Sequence, residues 1–160
     1  MPKVTKRLLI VAHCPSDNTR AMGEALLLGA QDTCIDNVLA EIKSPFDCDA
    51  NDVLTSDAVI LFTTENFGYM SGALKDFFER IYYPCLSDGQ RNDAKPFALL
   101  VRAGIDGTGC MRAVHNITQG LKWREIQHAT LCKGEYSTHF LDQCKTLGMT
   151  VAASLANDLI

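Results

Sequence analysis

The chain has 160 residues, of which 47% are hydrophobic and 21% are charged, and its formal net charge is −4. This length and composition predict a single globular domain spanning residues 1–160. A net negative charge argues against nonspecific nucleic-acid binding, which needs a basic face. The seven cysteines occur singly and without Cys-x-x-Cys spacing, which argues against a disulfide scaffold and against a metal site.

The first predicted element is a buried strand at residues 8–12, an unbroken apolar run. The run is too short to span a membrane and is followed directly by polar residues, so we expect neither a signal peptide nor a membrane partner. A cytoplasmic location follows from this expectation. The polar loop at residues 13–20 leads into a helix, indicated by the spacing of Met22, Ala25 and Leu26.

The rest of the chain alternates between short apolar runs and helical periodicity. Strands are predicted at 38–42, 58–63, 96–101 and, more weakly, 126–132, and helices around 74–81, 114–121 and 140–155. Pro84 is expected to end the first of these three helices, and polar residues 87–93 are expected to form an exposed connection. Such alternation predicts an α/β fold, with a five-stranded parallel sheet covered by helices on both faces.

Three loops of unusual composition follow three of the predicted buried strands, at residues 13–20, 63–71 and 102–109. Parallel strands end at the same edge of their sheet, so the three loops should lie together. In open parallel sheets, ligands bind beyond this carboxyl edge, where the strand order reverses. The three loops are therefore the candidate ligand site.

The first loop is suited to hold a phosphate. Ser16, Asn18 and Thr19 offer hydroxyl and amide groups, and the backbone N–H groups and dipole of the following helix favour an anion. Arg20 adds a positive charge. An equally simple alternative is that Ser16, Asp17 or Asn18 only caps the helix, and the loop by itself leaves both alternatives open.

The second and third loops are suited to a planar ligand. The second contains Phe67, Tyr69 and Met70, and aromatic residues in a loop either pack inward or stack on something flat. Gly68 permits a backbone conformation or a close ligand approach that other residues do not. The third loop has three glycines in residues 102–109, which would allow backbone contacts to a planar polar ligand.

Two stretches carry a resemblance to a known family: His-Cys-Pro-Ser-Asp-Asn-Thr-Arg at 13–20, and Glu-Asn-Phe-Gly-Tyr-Met-Ser-Gly-Ala-Leu-Lys-Asp-Phe-Phe-Glu-Arg at 65–80. They resemble the phosphate loop and the isoalloxazine loop of the flavodoxin-like superfamily. Within it, the chain is most similar to the NAD(P)H-dependent flavin and quinone reductases. The resemblance implies a three-layer sandwich with sheet order 2-1-3-4-5 and bound flavin mononucleotide (FMN).

The resemblance also implies which residues hold FMN. Ser16, Asn18 and Thr19 match the family's phosphate loop, and Asp17 stands where glycine is common. The full set of implied cofactor contacts comprises His13, Pro15, Ser16, Asp17, Asn18, Thr19, Arg20, Thr64, Glu65, Asn66, Phe67, Gly68, Tyr69, Met70, Ala103, Gly104, Gly107, Thr108 and Gly109. No catalytic acid or base and no metal ligand is singled out.

Two functions are the main candidates for a flavin-binding chain. One is a reductase that takes electrons from NADH or NADPH and passes them to a small-molecule acceptor such as a quinone or a flavin. The other is a flavodoxin-type carrier between protein partners. The mild net charge and the absence of aromatic residues from 102–109 favour the reductase. Without an aromatic residue in that loop, one face of the flavin ring would stay open. A flavin-binding regulatory protein is a third alternative, and the resemblance implies a homodimer or tetramer.

Overall fold

A computed structural model describes residues 2–160. Its elements, in chain order, are β1 Lys6–Ala12, α1 Asp17–Ala30, β2 Val38–Lys43, a 3-10 turn at Pro45–Asp47, α2 Ala50–Leu54, β3 Ala58–Asn66, β4 Tyr69–Met70, α3 Gly72–Leu86, α4 Gly89–Asn92, β5 Pro96–Ala103, α5 Thr108–Gly120, β6 Arg124–Glu125, β7 Thr130–Lys133 and α6 His139–Ala156. Among the residues described, no helix combines the length and the apolar character that a bilayer crossing requires.

The sheet confirms the predicted α/β architecture and strand order. Strands β2, β1, β3 and β5 are neighbours in that order and run parallel. The fifth position is filled by two short strands, because β6 pairs with the start of β5 and β7 with its end. The predicted strand over 126–132 is therefore confirmed only at residues 130–132, which lie in β7, and was wrong at 126–129. Polar Gln127 and His128 lie where the chain leaves the ladder.

Two apolar cores lie on the two faces of the sheet. In β1, Leu9 and Val11 pack into a core with side chains of α3 and α5. Leu8 and Ile10 point the other way, into a core with side chains of α1 and α6. A strand buried on both faces needs apolar residues at every position, which explains its continuous apolar run.

Two local predictions in the middle of the chain need correction. Helix α3 continues through Pro84 to Leu86, since a proline in the last turn removes only one intrahelical hydrogen bond. Residues 87–93 are not simply an exposed connection, because they contain α4. Asn92 is buried there, donates to the Leu121 carbonyl at 2.8 Å and accepts from the Trp123 indole at 2.7 Å.

Candidate functional site

The three loops lie together at the carboxyl edge of the sheet, as predicted. Near the strand ends, Ala12 pairs with Phe62, and Thr64 pairs with Arg102, in parallel register. The chain therefore leaves β1, β3 and β5 at neighbouring points. This geometry places the first loop beside the second, and the second beside the third.

The first loop is a helix cap in this structure. The Ser16 hydroxyl accepts a hydrogen bond from the Thr19 N–H at 3.2 Å, and the Thr19 hydroxyl accepts one from the Ser16 N–H at 2.9 Å. This reciprocal pair is a capping box at the start of α1. The capping alternative is thus confirmed. The capping box does not use the two backbone N–H groups that lie between Ser16 and Thr19.

Those two N–H groups belong to Asp17 and Asn18, the first residues of α1. Among residues 2–160, neither N–H has a hydrogen-bond acceptor, as is usual in a first helical turn. The Asn18 side chain is exposed, whereas Thr19 is buried. The carboxylate of Asp17 forms an ion pair with Arg20, so its negative charge is offset locally. The start of α1 is therefore competent to bind an anion.

His13 and Cys14 do not add charge to this loop. The backbone N–H of His13 donates to the Phe62 carbonyl at 3.0 Å. Burial lowers the pKa of the His13 imidazole, so the ring is neutral at neutral pH. Burial raises the pKa of the Cys14 thiol to about 11. The anion-binding capacity of the first loop thus comes from the N–H groups, the helix dipole, Arg20 and the exposed side-chain amide of Asn18.

The second loop is a tight hairpin. Strands β3 and β4 pair through Glu65 with Met70 and Asn66 with Tyr69. Phe67 and Gly68 form the two-residue turn, with φ of 53° and 72°, the left-handed pair that matches strand twist. The Phe67 side chain is fully exposed, and Met70 is buried in the core. The turn therefore presents an aromatic ring to solvent from a short, well-defined hairpin.

The base of the hairpin is anchored to α3. The Ser71 hydroxyl accepts from the Leu74 N–H at 3.1 Å, which makes Ser71 the N-cap of the helix. The buried Thr63 hydroxyl accepts from the Ser71 N–H at 3.0 Å. Within the hairpin, the Thr64 hydroxyl donates to the Asn66 side-chain carbonyl at 3.0 Å. These bonds fix the direction in which the hairpin leaves the sheet.

Glu65 connects the hairpin to the third loop. Its carboxylate accepts hydrogen bonds from the Ile105 N–H at 2.9 Å and from the Gly107 N–H at 2.8 Å. Gly107 has a φ of 72°, a conformation that favours glycine. Two backbone donors of the third loop are therefore occupied by this carboxylate and are not free for a ligand.

The hairpin also touches the start of α5. A Cβ atom placed on Gly109 would overlap the carbonyl oxygen of Gly68, so only glycine fits at position 109 without a backbone shift. Residues 64–70 and 104–109, which we call the joined loops, are therefore in contact where Gly68 meets Gly109. The two loops form one continuous surface at the carboxyl edge.

The predicted cofactor residues divide by exposure. Among them, Thr19, Met70 and Ala103 are buried, so a ligand at the surface would meet their backbone and not their side chains. The others are exposed or half-buried, except that Gly107 is also buried. Next to this set, burial and the charge of Glu65 raise the pKa of the Cys110 thiol to about 12, which excludes a reactive thiolate at neutral pH.

A cleft beside the first loop was not predicted from the sequence. It has a volume of about 480 Å³ and lies on the side of β1 away from the joined loops, between α1 and the end of β2. Its lining, which defines what we call the side cleft, comprises Ala12, His13, Cys14, Pro15, Arg20, Gly23, Glu24, Leu27, Ile42, Lys43, Ser44 and Phe46. It depends on how α1 packs over β2, which no local motif encodes. Over residues 2–160, no cluster of three or more His, Cys, Asp or Glu side chains is placed to hold a metal.

Comparison with known proteins identifies the fold. No protein-family model and no curated protein sequence matches the chain. A flavodoxin from the domain Archaea superposes with a TM-score of 0.77 at 18% identity, over 93% of this chain and 98% of that one. A WrbA-like flavodoxin from Agrobacterium tumefaciens superposes with a TM-score of 0.71 at 15% identity, over 96% of this chain and 98% of that one. Rubredoxin oxygen:oxidoreductase from Desulfovibrio gigas superposes with a TM-score of 0.76 at 15% identity, over 98% of this chain and 38% of that one. The chain has the flavodoxin-like fold.

Proposed function

We propose that this chain binds FMN and acts as an oxidoreductase that takes electrons from NADH or NADPH and passes them to a quinone, flavin or similar acceptor. The proposal rests on the three loops at the carboxyl edge, on the sequence resemblance and on a fold shared with flavodoxins. In this fold class the flavin lies where the strand order reverses, and the first and second loops flank that point.

The first loop fits the phosphate of FMN. The free N–H groups of Asp17 and Asn18 lie at the positive end of the α1 dipole. The exposed side chain of Ser16 lies in the same turn. The ion pair between Asp17 and Arg20 reduces the repulsion that an unpaired carboxylate would impose on a phosphate.

The joined loops fit one face of a planar ring. When bound, a flavin supplies the hydride and electron chemistry, and the protein supplies binding, orientation and electrostatics. The backbone at Phe67 and Gly68 and the side chain of Tyr69 would orient the ring. The observation that carries the proposal is the contact of Gly68 with Gly109, which joins the second and third loops into one surface for a ring beside the first loop. A ring lying on their surface keeps one face open for a nicotinamide or an acceptor.

A flavodoxin-type carrier is the second candidate. Phe46, Phe67 and Ile105 are exposed apolar residues around the carboxyl edge. Exposed apolar side chains near a redox site suit docking by a protein partner. The two candidates differ in what reaches the open face: a nicotinamide in the reductase, or a protein partner in the carrier.

The test begins with FMN-loaded protein and either NADH or NADPH, with a soluble quinone or free flavin as acceptor. The proposal predicts nicotinamide oxidation over many turnovers that depends on the acceptor. If no nicotinamide is oxidised while the photochemically reduced protein still reduces a protein such as cytochrome c, the carrier is the better description. Failure to bind FMN or riboflavin would contradict both. We also propose that the protein is a homodimer or tetramer, and light scattering on the same sample would measure the molar mass that tests this.

A further inference from the structure

We propose that the side cleft binds a small aromatic compound that carries a protonated amino group. This inference goes beyond the proposed flavin function and does not depend on it. The cleft has a volume of about 480 Å³, which lies within the usual range for small-molecule sites. Its surface is mostly apolar, and the apolar lining includes Ala12, Leu27, Ile42 and Phe46. A concave apolar surface of this kind favours the hydrocarbon part of a small ligand.

Phe46 gives the side cleft an aromatic surface on a well-anchored turn. The residue is 64% exposed, so its ring is accessible to a ligand. The Arg80 guanidinium donates to the Pro45 carbonyl at 2.7 Å and to the Cys48 carbonyl at 2.6 Å. The Phe46 N–H donates to the Ser44 hydroxyl at 3.3 Å. An aromatic ligand gains from stacking on such a ring, and a cation is attracted to its face.

The positively charged side chains that line the side cleft are already paired with carboxylates. The Lys43 ammonium group donates to the Asp52 carboxylate at 2.9 Å, and it lies 3.7 Å from the Glu41 carboxylate. The Arg20 guanidinium pairs with Asp17. An anionic ligand would therefore meet no unpaired cation inside the cleft.

Glu24 supplies the side cleft with an unpaired negative charge. Among residues 2–160, no Lys, Arg or His side chain lies within ion-pair distance of its carboxylate. Arg20 lies four residues earlier on the same face of α1, yet its guanidinium is bound to Asp17. Burial lowers the pKa of His13 and raises the pKa of Cys14 to about 11, so both are uncharged at neutral pH. The unpaired charge in the cleft is therefore negative.

The apolar surface and this charge together select the kind of ligand. The apolar lining and the Phe46 ring favour an aromatic body, whereas the Glu24 carboxylate favours a cation. A carboxylate or phosphate on the ligand would be repelled by Glu24 and would find no partner. The side cleft therefore suits a protonated aromatic amine better than a neutral or anionic aromatic compound of the same size.

The test uses three probes of similar size and different charge. Tryptamine is a cation, tryptophol is its neutral hydroxyl analogue, and indole-3-acetate is an anion. Each is titrated into the purified protein and followed by calorimetry. We expect tryptamine to bind at least about fivefold more tightly than tryptophol, and indole-3-acetate to bind most weakly. The inference is overturned if no probe binds at millimolar concentration, if the preference for tryptamine is smaller, or if indole-3-acetate binds as tightly as tryptamine.

Two variants of exposed cleft residues locate the bound probe. Glu24→Gln should remove most of the preference for tryptamine and leave the affinity for tryptophol unchanged. Phe46→Ala should weaken both probes by at least about threefold. Glu135→Gln and Phe67→Ala are the matched controls, because both residues are exposed and lie outside the cleft, and they should bind both probes as the wild type does.

The variants also separate this inference from the proposed function. If Glu24→Gln keeps the preference for tryptamine, the inference is overturned. It is also overturned if Phe67→Ala weakens the probes and Phe46→Ala does not, because the probes would then lie on the joined loops. Tryptamine binding with the expected variant effects, in a protein that binds no flavin, would keep the side cleft as an amine site and overturn the proposed function.

Discussion

The first loop and the joined loops lie at the same edge of the sheet but are held in place differently. In the first loop, the Ser16–Thr19 bonds and the Asp17–Arg20 ion pair join residues three positions apart. In the joined loops, Glu65 binds N–H groups 40 and 42 positions away. The first loop is thus shaped mainly by its own sequence, whereas the joined loops exist only once β3 and β5 are paired.

The largest effect is expected where the joined loops touch. Gly109→Ala would force the Gly68 carbonyl away, and overpacking of this kind costs about 1–3 kcal/mol. Gly72→Ala is the matched control, because Gly72 also lies in the first turn of a helix, yet a Cβ there has no neighbour within 4 Å. Urea unfolding should show a loss of stability for Gly109→Ala only. Equal stability of the two variants would contradict the contact between the loops.

The next effect is expected from Glu65. Glu65→Ala leaves the Ile105 and Gly107 N–H groups without their acceptor. Ile105 is exposed, so water can replace part of the loss, and we expect a cost of about 1–2 kcal/mol. Amide hydrogen exchange of the flavin-free protein should speed up at these two positions. Glu79→Ala, which removes only an exposed ion pair with Lys75, should leave both amides unchanged. Unchanged protection in Glu65→Ala would show that the bridge does not hold the third loop.

A smaller effect is expected in the first loop. Ser16→Ala removes the N-cap and should cost about 1 kcal/mol in the free energy of unfolding. Asn18→Ala, at an exposed side chain, should change stability by less than about 0.5 kcal/mol. Thermal or urea unfolding of the two variants measures this difference. A large loss from Asn18→Ala would mean that this side chain has a structural role and is not available for a ligand.

The smallest effect concerns the thiols of the two regions. Cys14, with a pKa raised to about 11, is half-buried, whereas Cys110, with a pKa raised to about 12, is fully buried. Because the thiolate is the reactive form, alkylation of Cys14 should be slow at neutral pH and should accelerate toward pH 11. Peptide mapping after iodoacetamide should find Cys34, which is exposed, modified first and Cys110 last. Early modification of Cys110 would indicate that the joined loops open readily.

Local signals account for the parts of the fold and site that could be predicted. Continuous apolar runs predicted β1, β3 and β5, because a strand covered on both faces has no polar side. The short polar side chains before α1, Ser16 among them, predicted a helix cap as one of two alternatives. Each of these features depends on residues within a few positions of one another.

Features that depend on distant residues were missed or misjudged. The sequence shows Glu65 but not that Ile105 and Gly107 come within reach of it, which requires the register of β3 against β5. The side cleft and the exposed position of Phe46 depend on how α1 and α3 pack around the end of β2. The break between β6 and β7 depends on how their residues pair along β5, which a weak apolar run does not reveal.

The most direct test of the account is the affinity of FMN and of riboflavin for the wild-type protein, Asn18→Ala and Glu65→Ala, measured by flavin fluorescence. If the first loop binds phosphate and the joined loops bind the ring, Asn18→Ala weakens FMN by about tenfold, the loss of one charge-assisted hydrogen bond, and leaves riboflavin unchanged. Glu65→Ala weakens both flavins by the same factor. If Asn18→Ala does not change the ratio of the two affinities, or if Glu65→Ala leaves riboflavin binding intact, the proposed division between the two regions is wrong.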